Sequence, residues 1–259
     1  MAKLTVITIT LDEERNIVDC LDSVRWADQL VVVDSGSMDR TVDLARRFTG
    51  DIYTIDWEGY GHARNFALDH AAGEWILWLD ADERVPPELA KEIQDLVGRD
   101  VSGFSGFSVA RRAYFLGKWI RHCGWYPSRV VRLFRKDRGR FSENRVHERL
   151  DLQGEVGMLR HDLLHFTDQH LQQYLTKFNR YTTLAAQDMA ANGRRFRLAD
   201  LLVRPPFVFV KMYVLRLGFL DGIHGFILSV LSSAYVFSKY AKLWELSRAE
   251  ARERHTSTL

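Results

Sequence analysis

Short apolar runs alternate with amphipathic segments over the first hundred residues. Each amphipathic segment has apolar residues every three or four positions, which predicts a helix after each run. This strand–helix alternation indicates a doubly wound, mostly parallel α/β sheet with helices on both faces. The four runs, rich in β-branched or aromatic residues and predicted to be buried strands, are "TVITIT" (5–10), "LVVVDSGS" (30–37), "DIYTID" (51–56) and "EWILWLD" (74–80).

The pattern changes after residue 103. Two stretches, "GFSVARRAYFLG" (106–117) and "SRVVRLFRK" (128–136), predict further strands that are open to antiparallel pairing. From about residue 169 the chain has a helical pattern, and its last third is strongly apolar. We therefore expect an α/β domain over residues 1–165, divided into halves 1–103 and 104–165, and a helical extension over residues 166–259.

Polar side chains follow three of the predicted strands. In an open α/β sheet, ligands bind beyond the carboxyl ends of the strands, so these side chains are expected to converge. Two aspartates at positions i and i+2 would repel each other, and a hard cation such as Mg²⁺ or Mn²⁺ removes that repulsion. A solvated turn that caps the next helix is the alternative. The side chains concerned are Thr8, Thr10 and Glu13 after strand one, Asp34 and Ser35 after strand two, and Asp80 and Asp82 after strand four.

The formal net charge is only +2, but the charge is unevenly distributed. Residues 1–103 carry 10 Lys or Arg against 21 Asp or Glu, whereas residues 104–149 carry 12 against 3. Aromatic residues interleave the basic segment, and this mixture is typical of a groove for an anionic partner. A solvated basic face is the alternative. We expect no nucleic-acid partner.

Cysteine content and the start of the chain point to one compartment. The sequence has two cysteines, Cys20 and Cys123, and its start "MAKLTVITIT" lacks the charged and long apolar regions of a secretory signal. We therefore expect a reduced, cytoplasmic protein without a disulfide framework.

Four motifs follow one another along the chain: "TITLDEERNI", "VVVDSGSMDRT", "GHARNFAL" and "LDADE". In this order they resemble the family 2 glycosyltransferases of the GT-A fold. The resemblance implies that Asp34 binds the nucleotide base and that Arg64 lies near the nucleotide. It also implies that Asp80 and Asp82 contact the ribose and hold Mg²⁺ or Mn²⁺ on the diphosphate.

A closer resemblance covers nearly the whole chain, through "WEGYGHARNFAL", "YFLGKWIRHCGWYPSRVVRLFRK", "FSENRVHERL" and "GFLDG". These stretches are similar to the subgroup that glucosylates the inner-core heptose of lipopolysaccharide or lipooligosaccharide. The resemblance implies UDP-glucose as donor and a lipid-linked anionic glycan as acceptor. Residues 1–103 would then bind the nucleotide sugar and residues 104–165 the acceptor.

The basic middle segment supplies the candidate acceptor contacts. Arg111, Arg129 and Arg132 are expected to bind acceptor anions through charge-assisted hydrogen bonds. Trp119 is expected to stack on a sugar ring, with plain core packing as the alternative.

Members of this family resemble one another in inverting the anomeric centre by a single displacement, which requires a base for the acceptor hydroxyl. Carboxylates are scarce in the middle segment, and "NRVHERL" matches the place of a His-Glu pair in related enzymes. We interpret Glu148 as the base, Glu143 as the second candidate, and His147 as a metal or diphosphate contact. Charge balance with Arg145 and Arg149 is the alternative for the two glutamates.

The apolar stretch 205–244 raises the question of a membrane. It contains charged residues, and its longest uncharged part, residues 225–237, is too short to span a bilayer. We therefore expect a helical hairpin lying in the interface, peripheral on the inner face of the cytoplasmic membrane, with Arg194, Arg195, Arg197 and Arg204 against anionic lipid. A helical dimer interface or a second core is the alternative.

Other functions are weighed against transfer of a sugar. A phosphatase of the haloacid dehalogenase type carries its two aspartates after the first strand, whereas here they follow the fourth. A nucleotidyltransferase is expected to have a glycine-rich phosphate loop after strand one, and "TITLDEERN" contains no glycine. A non-catalytic sugar-nucleotide scaffold at the membrane stays open. So does the same family acting on another glycan or on a peptide acceptor.

Overall fold

The structure is a computed structural model that describes residues 3–99, 103–142 and 149–256, with side chains described to residue 248. The chain divides into two compact units, Met1–Arg112 with Pro127–Phe166 and Ala113–Tyr126 with Thr167–Leu259. The predicted division at residue 165 into a catalytic domain and an extension stays a prediction.

The first unit is built on a sheet whose main path runs β3-β2-β1-β4-β8-β6-β12-β5. Strands β3, β2, β1 and β4 are parallel, whereas β4, β8 and β6 pair antiparallel, as do β12 and β5. The bounds are β1 Leu4–Thr10, β2 Gln29–Asp34, β3 Ile52–Thr54, β4 Trp75–Asp80, β5 Glu83–Arg84, β6 Phe104–Phe115, β7 Lys118–Trp119, β8 Ser128–Arg135, β9 Gly139–Phe141, β10 Leu150–Leu152, β11 Glu155–Met158 and β12 Leu163–Asp168.

Helices α1 (Ile17–Asp22), α2 (Thr41–Ala45), α3 (Tyr60–His70) and α4 (Pro87–Val97) cover both faces of this sheet. Successive strand residues point to opposite faces. Val6 packs in one buried cluster with residues of α1 and α4, and its neighbour Ile7 packs in another with residues of α3. The doubly wound prediction is therefore confirmed.

The helix after β1 begins at Ile17, the first residue of its apolar spacing. Residues 11–16 before it form a loop, and Asp12 has a φ of 53°, which a right-handed helix does not allow. This loop is tied to the loop after β2, because Asp12 accepts from the N–H of Met38 at 2.7 Å and Glu13 donates its N–H to Thr41 at 2.7 Å. These contacts hold the loops after β1 and β2 together.

The second unit is largely helical. Its long helices are α5 (Leu171–Ala191), α6 (Leu198–Val210) and α7 (Gly222–Thr256), with a π-helical turn at Lys211–Leu215 and a 3₁₀ turn at Gly218–Asp221. Phe115, Ile120 and Leu228 lie in one buried cluster of this unit. Cys20 and Cys123, one in each unit, are buried free thiols.

A buried carboxylate fixes the "GFLDG" segment of the second unit. Asp221 accepts hydrogen bonds from the N–H of His122 at 2.8 Å and from its ring Nδ1 at 3.1 Å, while the carbonyl of Asp221 accepts from Lys118 Nζ at 2.8 Å. Gly225 packs so closely that an added Cβ would lie 1.9 Å from the carbonyl oxygen of Gly218. The motif therefore has a structural role in joining residues 118–123 to the start of α7.

One helical segment in the described part of the chain, Gly218–Arg248, is long and apolar enough to cross a membrane by length and composition. From the sequence we expected no membrane-spanning helix, because the longest uncharged stretch was too short to cross a bilayer. Charged residues interrupt the apolar residues of this segment, so that criterion did not detect it. Only 22% of its most apolar window is buried inside the protein.

Candidate active site

The carboxyl ends of β1, β2 and β4 bring the predicted polar side chains to one edge of the sheet. In the register of the strands, Thr10 of β1 lies beside Asp34 of β2, and Ile9 lies beside Asp80 of β4. Strand spacing places the ends of β2 and β4 roughly 10 Å apart across β1. The strand order 3-2-1-4 reverses between β1 and β4, and such a switch point is where open α/β sheets bind ligands.

Asp34 organises the loop that follows it. Its Oδ2 accepts from the N–H groups of Gly36 at 3.0 Å and Ser37 at 2.9 Å, and its Oδ1 accepts from the hydroxyl of Ser37 at 2.5 Å. Gly36 has a φ of 90°, which favours glycine in this tight turn. Ser35 donates its N–H to the carbonyl of Thr10 at 3.0 Å, which holds the turn against β1.

Two of the three threonines of β1, Thr8 and Thr10, are unusual because their hydroxyls are buried without a hydrogen-bond partner among the described residues. Buried polar groups are normally paired, so unpaired hydroxyls at a strand end point to a missing ligand or water. Glu13, by contrast, accepts from Asn16 Nδ2 at 2.7 Å and anchors the first loop. Thr8 and Thr10 are therefore more available than Glu13 for the predicted contact with the nucleotide sugar.

Asp80 is held between two arginines. Arg64 Nη2 lies 3.1 Å from its Oδ1, and Arg132 Nη2 lies 2.7 Å from its Oδ2. Both guanidiniums also lie over the ring of Trp78, with the Cζ atoms 4.1 Å and 3.5 Å from the centroid. Burial alone would raise the pKa of Asp80, but the two guanidiniums outweigh it and hold that pKa well below its usual range. Asp80 is therefore an anion with a fixed orientation.

Glu83 completes this buried cluster. Its side chain has no exposure to solvent, its Oε1 lies 2.6 Å from Arg132 Nη2, and its Oε2 accepts from the N–H of Asp80 at 3.1 Å. Burial raises the pKa of Glu83, and the charge of Arg132 opposes that rise. Glu83 thus locks Arg132 and the backbone of β4 into one arrangement.

Asp82 differs from Asp80, because its partner is a histidine. His165 Nε2, on β12, lies 3.4 Å from Asp82 Oδ2, and both side chains keep some exposure to solvent. Burial alone would lower the pKa of His165, but its hydrogen bond with Asp82 and the charge of that carboxylate raise it. The site therefore pairs a fixed, arginine-bound carboxylate with a more open carboxylate beside an imidazole.

These observations match a known family. Residues 5–182 match the family described as "Glycosyl transferase family 2". This chain belongs to glycosyl transferase family 2. It is accordingly a glycosyltransferase, and the family resemblance stated from its motifs is confirmed.

Two curated relatives are similar over nearly the whole chain. The lipopolysaccharide core biosynthesis glycosyltransferase LpsC of Rhizobium meliloti (strain 1021) is 31% identical over 256 residues, which cover 96% of this chain and 94% of LpsC. An uncharacterized glycosyltransferase of Rickettsia typhi (strain ATCC VR-144 / Wilmington) is 28% identical over 265 residues, covering 95% of this chain and 88% of that relative.

A solved structure supports the predicted fold. The mannosyltransferase PcManGT from Pyrobaculum calidifontis, in complex with GDP-Man and Mn²⁺, covers 94% of this chain and 87% of its own with a TM-score of 0.54 and 18% identity. At this identity the likeness concerns the fold alone. It agrees with the predicted GT-A-type sheet.

The residues at the edge of the family 2 sheet can be tested for a fit to a divalent cation. Asp82 Oδ1 has no hydrogen bond or ion pair among the described residues, and a carboxylate oxygen is a preferred ligand of Mg²⁺ and Mn²⁺. Imidazole is also a metal ligand. No group of three or more acidic, histidine or cysteine side chains suited to a metal occurs in the described ranges, so the protein offers a partial ligand set. A donor diphosphate would supply the remaining oxygens.

Three arginines were predicted to contact the acceptor, and the structure gives them different surroundings. Arg132 is 1% exposed and is held by Asp80 and Glu83, so we reassign it from acceptor recognition to the carboxylate cluster. Arg111 is partly exposed, with Nη1 3.9 Å from Glu83 and its Nε unpaired among the described residues. Arg129 donates to the carbonyls of Ser108 and Leu159 at 3.4 Å and 3.2 Å. The acceptor contacts of Arg111 and Arg129 stay predictions.

The other predicted site residues lie elsewhere. Trp119 belongs to the second unit, where its ring packs against Tyr126 at 5.4 Å between centroids and Arg121 Cζ lies 4.7 Å from its centroid. The candidate base residues Glu143 and Glu148 and the candidate contact His147 lie outside the described residues. Their roles stay predictions.

Sequence reasoning did not assign roles to Glu83, His165 or Trp78. Glu83 could have been recognised from the sequence, because it adds a third carboxylate directly after a strand that is predicted to be buried. Arg132 also had one, since a charge inside "VVRLF" must be paired if that strand is buried. His165 lies 83 residues after Asp82 in the sequence, and only strand pairing of β12 with β5 brings the two together.

Proposed function

We propose that this enzyme transfers glucose from UDP-glucose to an inner-core heptose of lipopolysaccharide, with inversion at the anomeric carbon. The observation that carries the proposal is the edge formed by Asp34, Asp80 and Asp82, with the Thr8 and Thr10 hydroxyls, which no described residue pairs, on the strand between them. The full-length similarity to LpsC, a lipopolysaccharide core glycosyltransferase by name, supports the acceptor class.

The donor would bind at the switch point. Asp34 and the hydroxyls of Thr8 and Thr10 would contact the nucleoside, and Asp80, fixed by Arg64, would accept from the ribose hydroxyls. A carboxylate that is already oriented by an arginine loses little conformational freedom on binding. Glu13 and Ser35 would act by holding the two loops that border this subsite.

Mg²⁺ or Mn²⁺ would be held by Asp82 and His165 together with the donor diphosphate. When bound, the cation would neutralise negative charge on the leaving diphosphate. The Asp82 side chain is suited to this because one of its oxygens is unengaged among the described residues. His147, the sequence-predicted metal contact, stays a second candidate.

The acceptor half would use positive charge for recognition and a carboxylate for chemistry. Arg111 and Arg129 would contact the phosphates and acidic groups of the inner core. Glu148, or Glu143 in its place, would take the proton of the attacking hydroxyl. The lipid-linked acceptor implies a cytoplasmic enzyme at the inner face of the cytoplasmic membrane.

A panel of donors and acceptors tests this function. Purified protein with Mn²⁺ would be incubated with UDP-glucose, UDP-GlcNAc or GDP-mannose and with heptose-terminated core oligosaccharide, another glycan, or a cysteine-containing peptide. Mass spectrometry should show one hexose added to the heptose oligosaccharide from UDP-glucose. Modification of the peptide or of the other glycan alone would assign a different acceptor. Transfer of no sugar to any acceptor would favour a binding role.

A further inference from the structure

A basic pocket lies at the turn between α5 and α6 in the second unit. It encloses about 660 Å³ and is lined by Arg194, Arg195, Arg197 and Arg204, with Asp200 as its acidic residue. Four guanidiniums face one carboxylate in this small volume. Such an excess of charge normally marks a site for an anion, because arginine presents a fork of N–H donors that matches a phosphate.

The positive charge of this pocket is only partly neutralised. Asp200 Oδ1 lies 2.5 Å from Arg204 Nε and its Oδ2 lies 3.3 Å from Arg194 Nη2, so both oxygens are engaged. Arg195 and Arg197 form no ion pair with any described residue. Lys239 adds to the cluster: burial first, and then the charges of Arg194 and Arg204, lower its pKa. An incoming anion would relieve this repulsion.

Exposed apolar side chains begin directly beside the pocket. Leu198 and Leu202 of α6 are about three-fifths exposed and lie one turn apart on one stripe, whereas Phe207, equally exposed, lies on the opposite side of the helix. Ile223, 63% exposed, starts a second stripe, which continues along α7 through Phe226, Val230, Phe237 and Trp244. Fifteen of the 26 large apolar side chains that are exposed in the described chain lie within residues 198–244. A concentration of this kind marks an interaction surface, whereas single exposed apolar residues do not.

We propose that this part of the second unit is a docking surface for an anionic lipid bilayer, with lipid phosphates in the basic pocket and the apolar stripes in the acyl boundary. Charge selects this occupant. A second copy of the chain would bring the same arginines and repel them, whereas anionic headgroups complement them. A basic cluster beside an exposed apolar helix face is the arrangement of interfacial helices. The inference is independent of which sugar or acceptor the enzyme uses.

Vesicle binding tests the surface. The full-length protein would be co-sedimented with vesicles of phosphatidylethanolamine and phosphatidylglycerol, and with vesicles of phosphatidylcholine alone. The variant Arg195→Gln/Arg197→Gln should bind the anionic vesicles at least about tenfold more weakly than the wild type. The matched control is Arg25→Gln/Arg46→Gln, which removes the same charge from exposed positions of the first unit and should bind as the wild type does. Equal loss in both variants, or none in either, would overturn the proposal.

A second measurement keeps the test independent of that variant's folding. Because Cys20 and Cys123 are buried, a cysteine introduced at Leu202 can be labelled selectively with an environment-sensitive fluorophore. The Leu202→Cys label should gain intensity and shift to the blue with anionic vesicles, while a label on Met38→Cys, an exposed position in the first unit, should not.

Three other results would contradict the proposal. A change at the Leu202 label with protein concentration alone would mean that a second copy covers the surface. Full release of the protein by free glycerol phosphate, at the same phosphate concentration, would mean that the pocket takes a soluble anion. Equal binding to phosphatidylcholine would mean that charge does not select the partner.

Discussion

Arg132 and Glu83 form an ion pair that is closed to solvent, with Nη2 2.6 Å from Oε1 and neither side chain more than 1% exposed. The same Arg132 nitrogen lies 2.7 Å from Asp80 Oδ2, so one guanidinium links Asp80, at the end of β4, to Glu83. Removing one partner of a buried pair leaves the other charge uncompensated, which costs far more than the pair contributes.

We therefore expect Arg132→Met to destabilise the first unit by about 3–5 kcal/mol. Adding Glu83→Gln should recover part of that loss, because it removes the stranded charge. The control Arg135→Met, at the end of the same strand as Arg132, breaks a surface pair with Asp137 and should cost about 1 kcal/mol or less. Urea unfolding of the wild type, the single variants Arg132→Met and Glu83→Gln and the double variant gives the coupling, and strict additivity of the two buried substitutions would refute this account of the cluster.

Asp34 should matter for donor affinity beyond its role in the loop. Asp34→Ala is expected to weaken UDP binding by about 1.5–3 kcal/mol, the usual contribution of a charged hydrogen bond. Ser37→Ala removes one of the local bonds to the same carboxylate and serves as the control for loop distortion. Calorimetry that finds equal losses in the two variants would assign Asp34 to the loop alone.

Asp82 is expected to control metal binding. Asp82→Asn should remove most of the Mn²⁺ bound in the presence of UDP, as measured by electron paramagnetic resonance, because it removes the charge of the open carboxylate. Asp43→Asn, at an exposed position on α2, is the control and should bind Mn²⁺ as the wild type does. His165→Phe should weaken Mn²⁺ binding less than Asp82→Asn. Retention of full Mn²⁺ affinity by Asp82→Asn would place the metal elsewhere.

The sequence predicted the parallel half of the sheet and its polar edge well because both follow from local patterns. Apolar runs mark the strands, and parallel strands place their carboxyl ends together, so Asp34 and Asp80 could be located without coordinates. The pairing partners of those acids could not. Arg64 lies 16 residues before Asp80 and Arg132 lies 52 after it, and their contacts depend on helix packing and antiparallel pairing rather than on any local period.

The reassignment of Arg132 shows the same limit. A count of basic residues treats Arg129 and Arg132 alike, yet on the same strand β8 Arg129 is exposed whereas Arg132 is buried against Asp80 and Glu83.

Lowering the pH should reduce the stability of the first unit, because Glu92 then becomes protonated. Its Oε1 accepts from the N–H of Arg160 at 2.9 Å, and its Oε2 accepts from the N–H of His161 at 3.0 Å. Burial alone would raise the pKa of Glu92, but these bonds and the ring of His161 lower it. A lowered folded-state pKa means stability that is present above the unfolded-state value and lost as pH falls.

Between pH 6 and pH 3, the free energy of unfolding should therefore fall more for the wild type than for Glu92→Gln. Glu88→Gln, an exposed substitution on the same helix, is the control and should follow the wild type. Parallel profiles for wild type and Glu92→Gln would show that these hydrogen bonds do not favour the ionised carboxylate.

The central claim is tested most directly by one transfer reaction, with UDP-glucose, Mn²⁺ and a lipid-free, heptose-terminated inner-core oligosaccharide. The wild type should add one hexose to the heptose, and Glu148→Gln should lower kcat by about 10²–10⁴ with donor affinity unchanged. Glu143→Gln is the matched comparison and should retain turnover. If the wild type releases UDP without adding a hexose to this acceptor, the proposed acceptor is wrong. Normal turnover by Glu148→Gln would place the base elsewhere.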